Sequence, residues 1–92
     1  MNKTILITGS TDGIGKLTAL QLAKSGHTVY LHGRNNERLE STIQEIRKAA
    51  GSKDVYGFLA DFSDLGAVSQ MAAEVMSQVT NLDILINNAG VY

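Results

Sequence analysis

Four short aliphatic runs alternate with three longer segments of helical periodicity, and this alternation leaves few folds open to the chain. The runs are rich in β-branched and aliphatic residues, and each ends at glycine or at polar residues, as expected of buried strands. Such an order predicts a doubly wound α/β fold, in which a parallel sheet carries helices on both faces and the crossovers are right-handed. The predicted strands cover residues 4–8, 28–32, 55–60 and 83–87, and the predicted helices lie within 14–25, 35–50 and 63–79.

Individual residues set the expected ends and faces of these helices. Asn35 or Asn36 offers an N-cap for the second helix and Ser63 one for the third, because short polar side chains accept hydrogen bonds from free N–H groups. Gly51 is expected to end the second helix. Apolar residues surround most of the first helix, which predicts that this helix is largely buried. The third helix is expected to bury one face made of Val68, Met71, Ala72, Val75, Met76 and Val79.

Composition argues against several classes of function. Eight Lys and Arg against nine Asp and Glu give a net charge of −1, so no positive surplus attracts nucleic acid or an anionic membrane surface. The absence of Cys removes disulfides and thiolate zinc sites, and two separated His residues do not make a metal site. No apolar segment approaches the ~20 residues of a membrane span, so we expect a cytoplasmic protein. Without Pro or a low-complexity linker, residues 1–92 are predicted to form one unit.

A glycine-rich stretch joins the first predicted strand to the first helix, with the sequence Thr8-Gly9-Ser10-Thr11-Asp12-Gly13-Ile14-Gly15. Gly9 allows a sharp turn, Gly13 allows backbone N–H groups to approach a diphosphate, and Gly15 allows the helix to pack closely against the strand. The helix N-terminus then faces the anion. A mononucleotide phosphate loop needs four residues between its glycines and a Lys followed by Ser or Thr, and this stretch has neither feature. Glycines can also serve the turn alone, so both interpretations stay open at this point.

Two further motifs extend the pattern along the chain. Asp61 follows the third predicted strand, and the fourth is followed by Asn87-Asn88-Ala89-Gly90. With the glycine-rich stretch, they resemble the cofactor-binding half of the classical short-chain dehydrogenase/reductases. The resemblance implies a Rossmann-type sheet of strand order 3-2-1-4, truncated after its fourth strand, that binds a nicotinamide dinucleotide.

The resemblance also implies roles for single residues. Asp61 would bond the adenine amino group with the Phe62 backbone beside it, and Asn88, with the two residues after it, would line the adenosine ribose. From the residues alone, Asp61 could instead stabilise a helix N-terminus, and Asn88 could simply tie neighbouring strands together. The expected binding residues are Gly9, Ser10, Thr11, Asp12, Gly13, Ile14, Gly15, Arg34, Asp61, Phe62, Asn88, Ala89 and Gly90.

The segment after the second strand bears on the choice between NAD and NADP. An acidic residue there would bond the free ribose 2′-hydroxyl of NAD, but the segment holds none and carries Arg34, whose guanidinium suits a phosphate. The sequence therefore favours NADP(H). Asp12 and Glu37 weaken this preference, because both place negative charge near the expected site, and Arg34 could also be a solvated surface charge.

The family reduces carbonyls or oxidises alcohols with a Ser and a Tyr-x-x-x-Lys pair beyond the Asn-Asn-Ala-Gly motif. No Tyr of this chain has Lys four residues later, so we expect the 92-residue chain to be inactive alone. A second hypothesis is a non-catalytic dinucleotide-binding or interaction module that ends near Tyr92. Such a module would leave its fourth strand at an open sheet edge, where another copy of the chain could pair.

Overall fold

The computed structural model describes residues 2–79 and 81–88, which fold into four strands and three helices in the predicted alternation. The strands are β1 (Thr4–Ile7), β2 (Thr28–Gly33), β3 (Val55–Leu59) and β4 (Ile84–Ile86). The helices are α1 (Gly13–Lys24), α2 (Asn36–Ala50) and α3 (Leu65–Gln78). All neighbouring strands run parallel in the order β3-β2-β1-β4, which confirms the predicted doubly wound sheet and its strand order.

The sheet separates two apolar cores. On one face, α1 and α2 pack over the strands around Ile7, Leu31 and Ile46, which are all but inaccessible to solvent. On the other face, α3 packs over Leu6 and Phe58. Successive residues of β1 enter opposite cores because side chains alternate across a strand. Burial on both faces explains why the central strands β1 and β2 are nearly continuous apolar runs.

Helix α1 is less buried than its composition suggested. Ile14 and Leu17 are 77% and 58% exposed, so the prediction of a largely buried helix is wrong. Its buried residues are Gly15, Ala19 and Ala23, which follow one another at intervals of four. Residues four apart share a helix face, and small side chains there let α1 approach the sheet closely. Ile14 and Leu17 lie away from that face, whereas Leu20 and Leu22 are partly buried against the core.

Helix α2 has the ends that the sequence predicted. Asn35 provides the N-cap, since its side-chain oxygen accepts a hydrogen bond from the backbone N–H of Arg38 at 3.0 Å. Gly51 ends the helix in a left-handed conformation with φ 63°, which glycine adopts without strain.

Helix α3 differs from the prediction in its cap and in its buried face. Asp64, not Ser63, is the N-cap, because the carboxylate of Asp64 accepts hydrogen bonds from two first-turn N–H groups at 2.9 and 3.3 Å. Met71 is buried, whereas Met76 is 83% exposed and Ala72 is also exposed. Five residues of helix turn the side chain about 140° away, so Met71 and Met76 cannot share a face.

Within residues 2–79 and 81–88, strand β4 forms one edge of the sheet and pairs only with β1. Ile84 and Leu85 are 40% and 58% exposed there. Among the residues that the structure describes, none of the helices combines the length and the apolar character needed to cross a membrane.

Candidate functional site

An open cleft of about 870 Å³ lies where the strands end at their carboxyl edge. Residues that follow each of the four strands contribute to its wall, among them Gly9 after β1, Arg34 after β2, Asp61 after β3 and Asn88 after β4. In open parallel sheets, ligands bind at this edge where the strand order reverses, which here is between β1 and β4. The topology thus brings sequence-distant residues into one cleft.

The glycine-rich loop leaves β1 through a backbone that only glycine accepts easily. Gly9 and Gly13 have φ values of 61° and 59°, in the left-handed region that side chains disfavour. Gly15 is required for a different reason, because a Cβ there would lie 2.5 Å from the Gly9 carbonyl oxygen and 2.7 Å from Asn88 Nδ2. The start of α1 therefore packs directly on the loop that precedes it and on the residue that follows β4.

His32 holds this loop in place, a role that the sequence reasoning missed. Its Nδ1 accepts a hydrogen bond from the Gly9 N–H at 2.9 Å, so Nε2 carries the proton and donates it to the Ala60 carbonyl at 2.8 Å. Phe62 stacks on the ring with centroids 4.2 Å apart. Burial lowers the pKa of His32, which favours the neutral ring that these bonds require. The sequence feature that could have predicted this role is a histidine at the end of a buried strand, next to a loop rich in backbone N–H donors.

Ser10 is the most deeply placed residue of the loop. Its hydroxyl is buried, donates to the Ile7 carbonyl at 2.9 Å and accepts from the His32 N–H at the same distance. These bonds give Ser10 a part in shaping the loop, and its contact with a cofactor stays a prediction. Thr11 and Asp12, by contrast, line the cleft.

Asn88 ties the loop to β4. Its side-chain Nδ2 donates to the Gly9 carbonyl at 3.0 Å, and its backbone N–H donates to the Thr8 hydroxyl at 2.9 Å. Asn88 thus makes the contacts between neighbouring strands that its alternative interpretation predicted. The same residue also lines the cleft. Ala89 and Gly90, which were expected beside the ribose, lie outside the described residues.

Asp61 and Phe62 form the wall that follows β3. The Asp61 Oδ1 atom accepts hydrogen bonds from the Ser63 N–H at 3.0 Å and from the Ser63 hydroxyl at 2.8 Å. These two bonds, with the positive charge of Arg34 nearby, lower the pKa of Asp61. Asp61 therefore closes a local turn, and the helix N-terminus that it was alternatively expected to stabilise is capped by Asp64.

Around the cleft, each of two basic side chains lies near an acidic one. Arg34 lies on its wall near enough to Asp61 to affect the pKa of that carboxyl. Asp12 forms an ion pair with Arg38, whose Nη1 is 3.1 Å from Asp12 Oδ2. The sequence did not single out Arg38, which lies in the first turn of α2, four residues after Arg34. Gly13, Ile14 and Gly15 belong to the loop and to α1 but do not form the cleft wall.

Sequence comparison gives matches along nearly the whole chain. The family model described as short chain dehydrogenase matches residues 3–92. The chain is 39% identical over 92 residues to the 3-oxoacyl-acyl-carrier-protein reductase FabG of Staphylococcus aureus (strain N315), which covers 99% of this chain and 37% of that protein. It is also 39% identical over 89 residues to dehydrogenase/reductase SDR family member 13 of Homo sapiens, which covers 97% of this chain and 24% of that protein.

Solved structures share the fold. Menthone neomenthol reductase from Mentha piperita superposes with a TM-score of 0.88 at 30% identity, over 99% of this chain and 32% of that one. L-sorbose reductase from Gluconobacter frateurii, complexed with NADPH and L-sorbose, gives a TM-score of 0.85 at 32% identity, over 98% of this chain and 34% of that one. The chain thus spans 24% to 37% of the length of the relatives described.

Proposed function

Because the chain belongs to the short-chain dehydrogenase family, we propose that it is the NADP(H)-binding part of an oxidoreductase that reduces carbonyls or oxidises alcohols. The observation that carries the preference for NADP(H) is Arg34 on the wall of the cleft, at the end of β2. An acidic residue at this place would bond the 2′-hydroxyl of NAD and repel a 2′-phosphate. A guanidinium can bond the phosphate with two parallel N–H donors.

The glycine loop and the N-terminus of α1 suit the diphosphate. Within the described part of the chain, no side chain caps the first N–H groups of α1, whereas α2 and α3 are capped by Asn35 and Asp64. Uncapped N–H groups at a helix N-terminus favour an anion through both hydrogen bonds and the helix dipole. The left-handed turns at Gly9 and Gly13 keep side chains out of this space.

The remaining binding residues follow from the family pattern. Asp61 and the Phe62 backbone would receive the adenine, and Asn88, with Ala89 and Gly90 after it, would line the adenosine ribose. The lowered pKa of Asp61 keeps its carboxylate ionised as a hydrogen-bond acceptor for the adenine amino group. Ser10, Thr11, Ile14 and the glycines would form the seat of the diphosphate.

Hydride transfer between the cofactor and a substrate requires catalytic residues that this chain does not contain. When bound, the cofactor supplies or accepts the hydride, while the chain described holds and orients it. We propose that the Ser and the Tyr-x-x-x-Lys pair of the family lie in a longer parent protein, that this protein is cytoplasmic, and that the 92-residue chain is inactive alone. The exposed Ile84 and Leu85 of β4 favour pairing with a further strand, and a second copy of the chain is one candidate for it.

The preference for NADP(H) is tested by Arg34→Ala. We expect this variant to bind NADPH more weakly by about 1.5–3 kcal/mol, the range for hydrogen bonds to charged groups, and to bind NADH as the parent does. Equilibrium titration followed by nicotinamide fluorescence gives the dissociation constants for NADPH and NADH. Lys48→Ala removes an exposed cation from the last turn of α2, outside the cleft, and serves as the control. Equal losses for both cofactors would contradict the assignment of Arg34 to the 2′-phosphate.

The catalytic part of the proposal is tested on the proposed longer parent protein. We expect that protein to consume NADPH with carbonyl substrates and the 92-residue chain to bind the cofactor without turnover. If the longer protein also binds the cofactor without turnover, the catalytic part of the proposal is overturned.

A further inference from the structure

Asp12 occupies the N-cap of α1 but does not cap it. Its backbone is extended, with φ −157° and ψ 175°, as in capping residues, yet its side chain makes no hydrogen bond to the helix N–H groups. The carboxylate instead pairs with Arg38, with Oδ2 3.1 Å from Nη1. Asn35 and Asp64 show the usual behaviour at the other two helices, where their side chains accept first-turn N–H groups.

Two positions thus compete for the Asp12 carboxylate. Aspartate is among the best N-cap residues, so without Arg38 it would turn back to the first turn of α1. There it would occupy the N–H groups and place a negative charge where a diphosphate has to bind. The ion pair with Arg38 is exposed, with side chains 61% and 74% accessible, so its contribution to stability is small and comparable to that of a cap.

The backbone of Arg38 is fixed at the start of α2. Its backbone N–H donates to the Asn35 side chain at 3.0 Å, which fixes the first turn of α2. From that turn, the guanidinium reaches across to the loop before α1, and it also lines the cleft.

We propose that Arg38 is a positioning residue that holds the Asp12 carboxylate away from the N-terminus of α1 and so keeps this helix end available to the cofactor diphosphate. The inference rests on the proposed function. It differs from a direct contact between Arg38 and a 2′-phosphate, because the diphosphate is common to NADH and NADPH. Loss of Arg38 therefore affects both cofactors alike.

The binding test compares Arg38→Gln, Asp12→Ala and the double variant by titration with NADH and with NADPH. We expect Arg38→Gln to weaken both about fivefold, which corresponds to the ~1 kcal/mol of a side-chain cap. In the Asp12→Ala background, the same substitution has no further effect, because no carboxylate remains to move. Glu45→Gln removes the other exposed ion pair between α1 and α2, with Lys16, and leaves both affinities unchanged.

A stability test needs no cofactor. If Asp12 caps α1 only when Arg38 is absent, Asp12→Ala lowers the unfolding temperature in the Arg38→Gln background, by about 4–8 °C for a cap of ordinary strength. In the parent background the same substitution has little effect. Weakening of both cofactors without loss of stability in Arg38→Gln is a pattern that general damage to the fold cannot produce.

The outcomes separate the inference from the function on which it rests. Unchanged affinities in Arg38→Gln, or a loss confined to NADPH that persists in the Asp12→Ala background, would overturn the positioning role. If the parent binds neither cofactor, the proposed function fails, and the stability test alone decides whether Arg38 controls Asp12. Equal effects of Asp12→Ala in both backgrounds would then overturn the inference as well.

Discussion

Substitution of Gly15 by alanine tests the packing of α1 on its own loop. In most helices, Gly→Ala stabilises by about 1 kcal/mol because alanine loses less conformational freedom. At Gly15 the added Cβ would lie 2.5 Å from the Gly9 carbonyl oxygen, 2.7 Å from Asn88 Nδ2 and 3.1 Å from Ser10 Cα. Two of these atoms belong to the backbone, which cannot turn aside as a flexible side chain can.

The expected magnitude follows from these distances. Ordinary contacts of a Cβ begin near 3.4 Å, so either the loop or the helix has to move by about 1 Å. Overpacking of this kind costs about 1–3 kcal/mol. Moving Asn88 also strains its 3.0 Å hydrogen bond to Gly9, worth about 0.5–1.5 kcal/mol. The higher helix propensity of alanine offsets part of this cost. We therefore expect the free energy of unfolding to fall by about 1–3 kcal/mol, and both NADH and NADPH to bind more weakly.

Gly66→Ala is the matched control. Gly66 also lies in the first turn of a helix, and a Cβ there would meet only the tip of the Asp64 side chain at 3.3 Å. We expect this variant to be as stable as the parent or more so. Urea unfolding followed by circular dichroism gives both free energies. If Gly15→Ala matches Gly66→Ala in stability and retains cofactor affinity, the close approach of α1 to its loop is not what requires glycine.

Two other predictions concern pH and helix capping. Burial lowers the pKa of His32 below its ordinary 6.5, so as the pH falls below about 6.5 the unfolded chain takes up a proton that the folded chain does not, and the free energy of unfolding decreases. Urea unfolding between pH 7.5 and 5 should show this decrease, and a His32→Gln variant that keeps the same slope would refute its assignment to His32. Asp64→Ala should destabilise by about 1 kcal/mol through loss of the α3 cap, and Ser63→Ala by less, whereas the reverse order in thermal unfolding would restore Ser63 as the cap.

The fold was predictable because its signals are local. Periodicity and the residues at helix ends located the four strands and three helices of the described residues, and their alternation predicted the parallel sheet. The errors arose where one-dimensional patterns do not fix an outcome. Apolar residues around α1 suggested burial, but the sheet contacts only one narrow face, so Ile14 and Leu17 remain exposed. Ser63 and Asp64 are both good caps, and only the place where the backbone enters the helix decides between them.

Residues that line the candidate cleft were easier to predict from the sequence than the residues that hold the cleft in shape. Spacing and family resemblance identified the glycine loop, Arg34 and Asp61, which the structure brings to one cleft. His32 and Arg38 were missed because their roles depend on partners 23 and 26 residues away, Gly9 and Asp12. No local pattern in a single sequence reports such contacts.

The backbone of the cleft is fixed, whereas one of its charged side chains can change partners. Gly9 donates its N–H to His32 on one side and accepts from Asn88 on the other, so the loop is fixed between β2 and β4 before any ligand arrives. A fixed loop lowers the entropy cost of binding. The carboxylate of Asp12, by contrast, is exposed and held by one ion pair, so it can exchange partners at little cost. The shape of the loop is therefore set by its hydrogen bonds to His32 and Asn88, while access of an anion to α1 depends on the charge that Arg38 supplies.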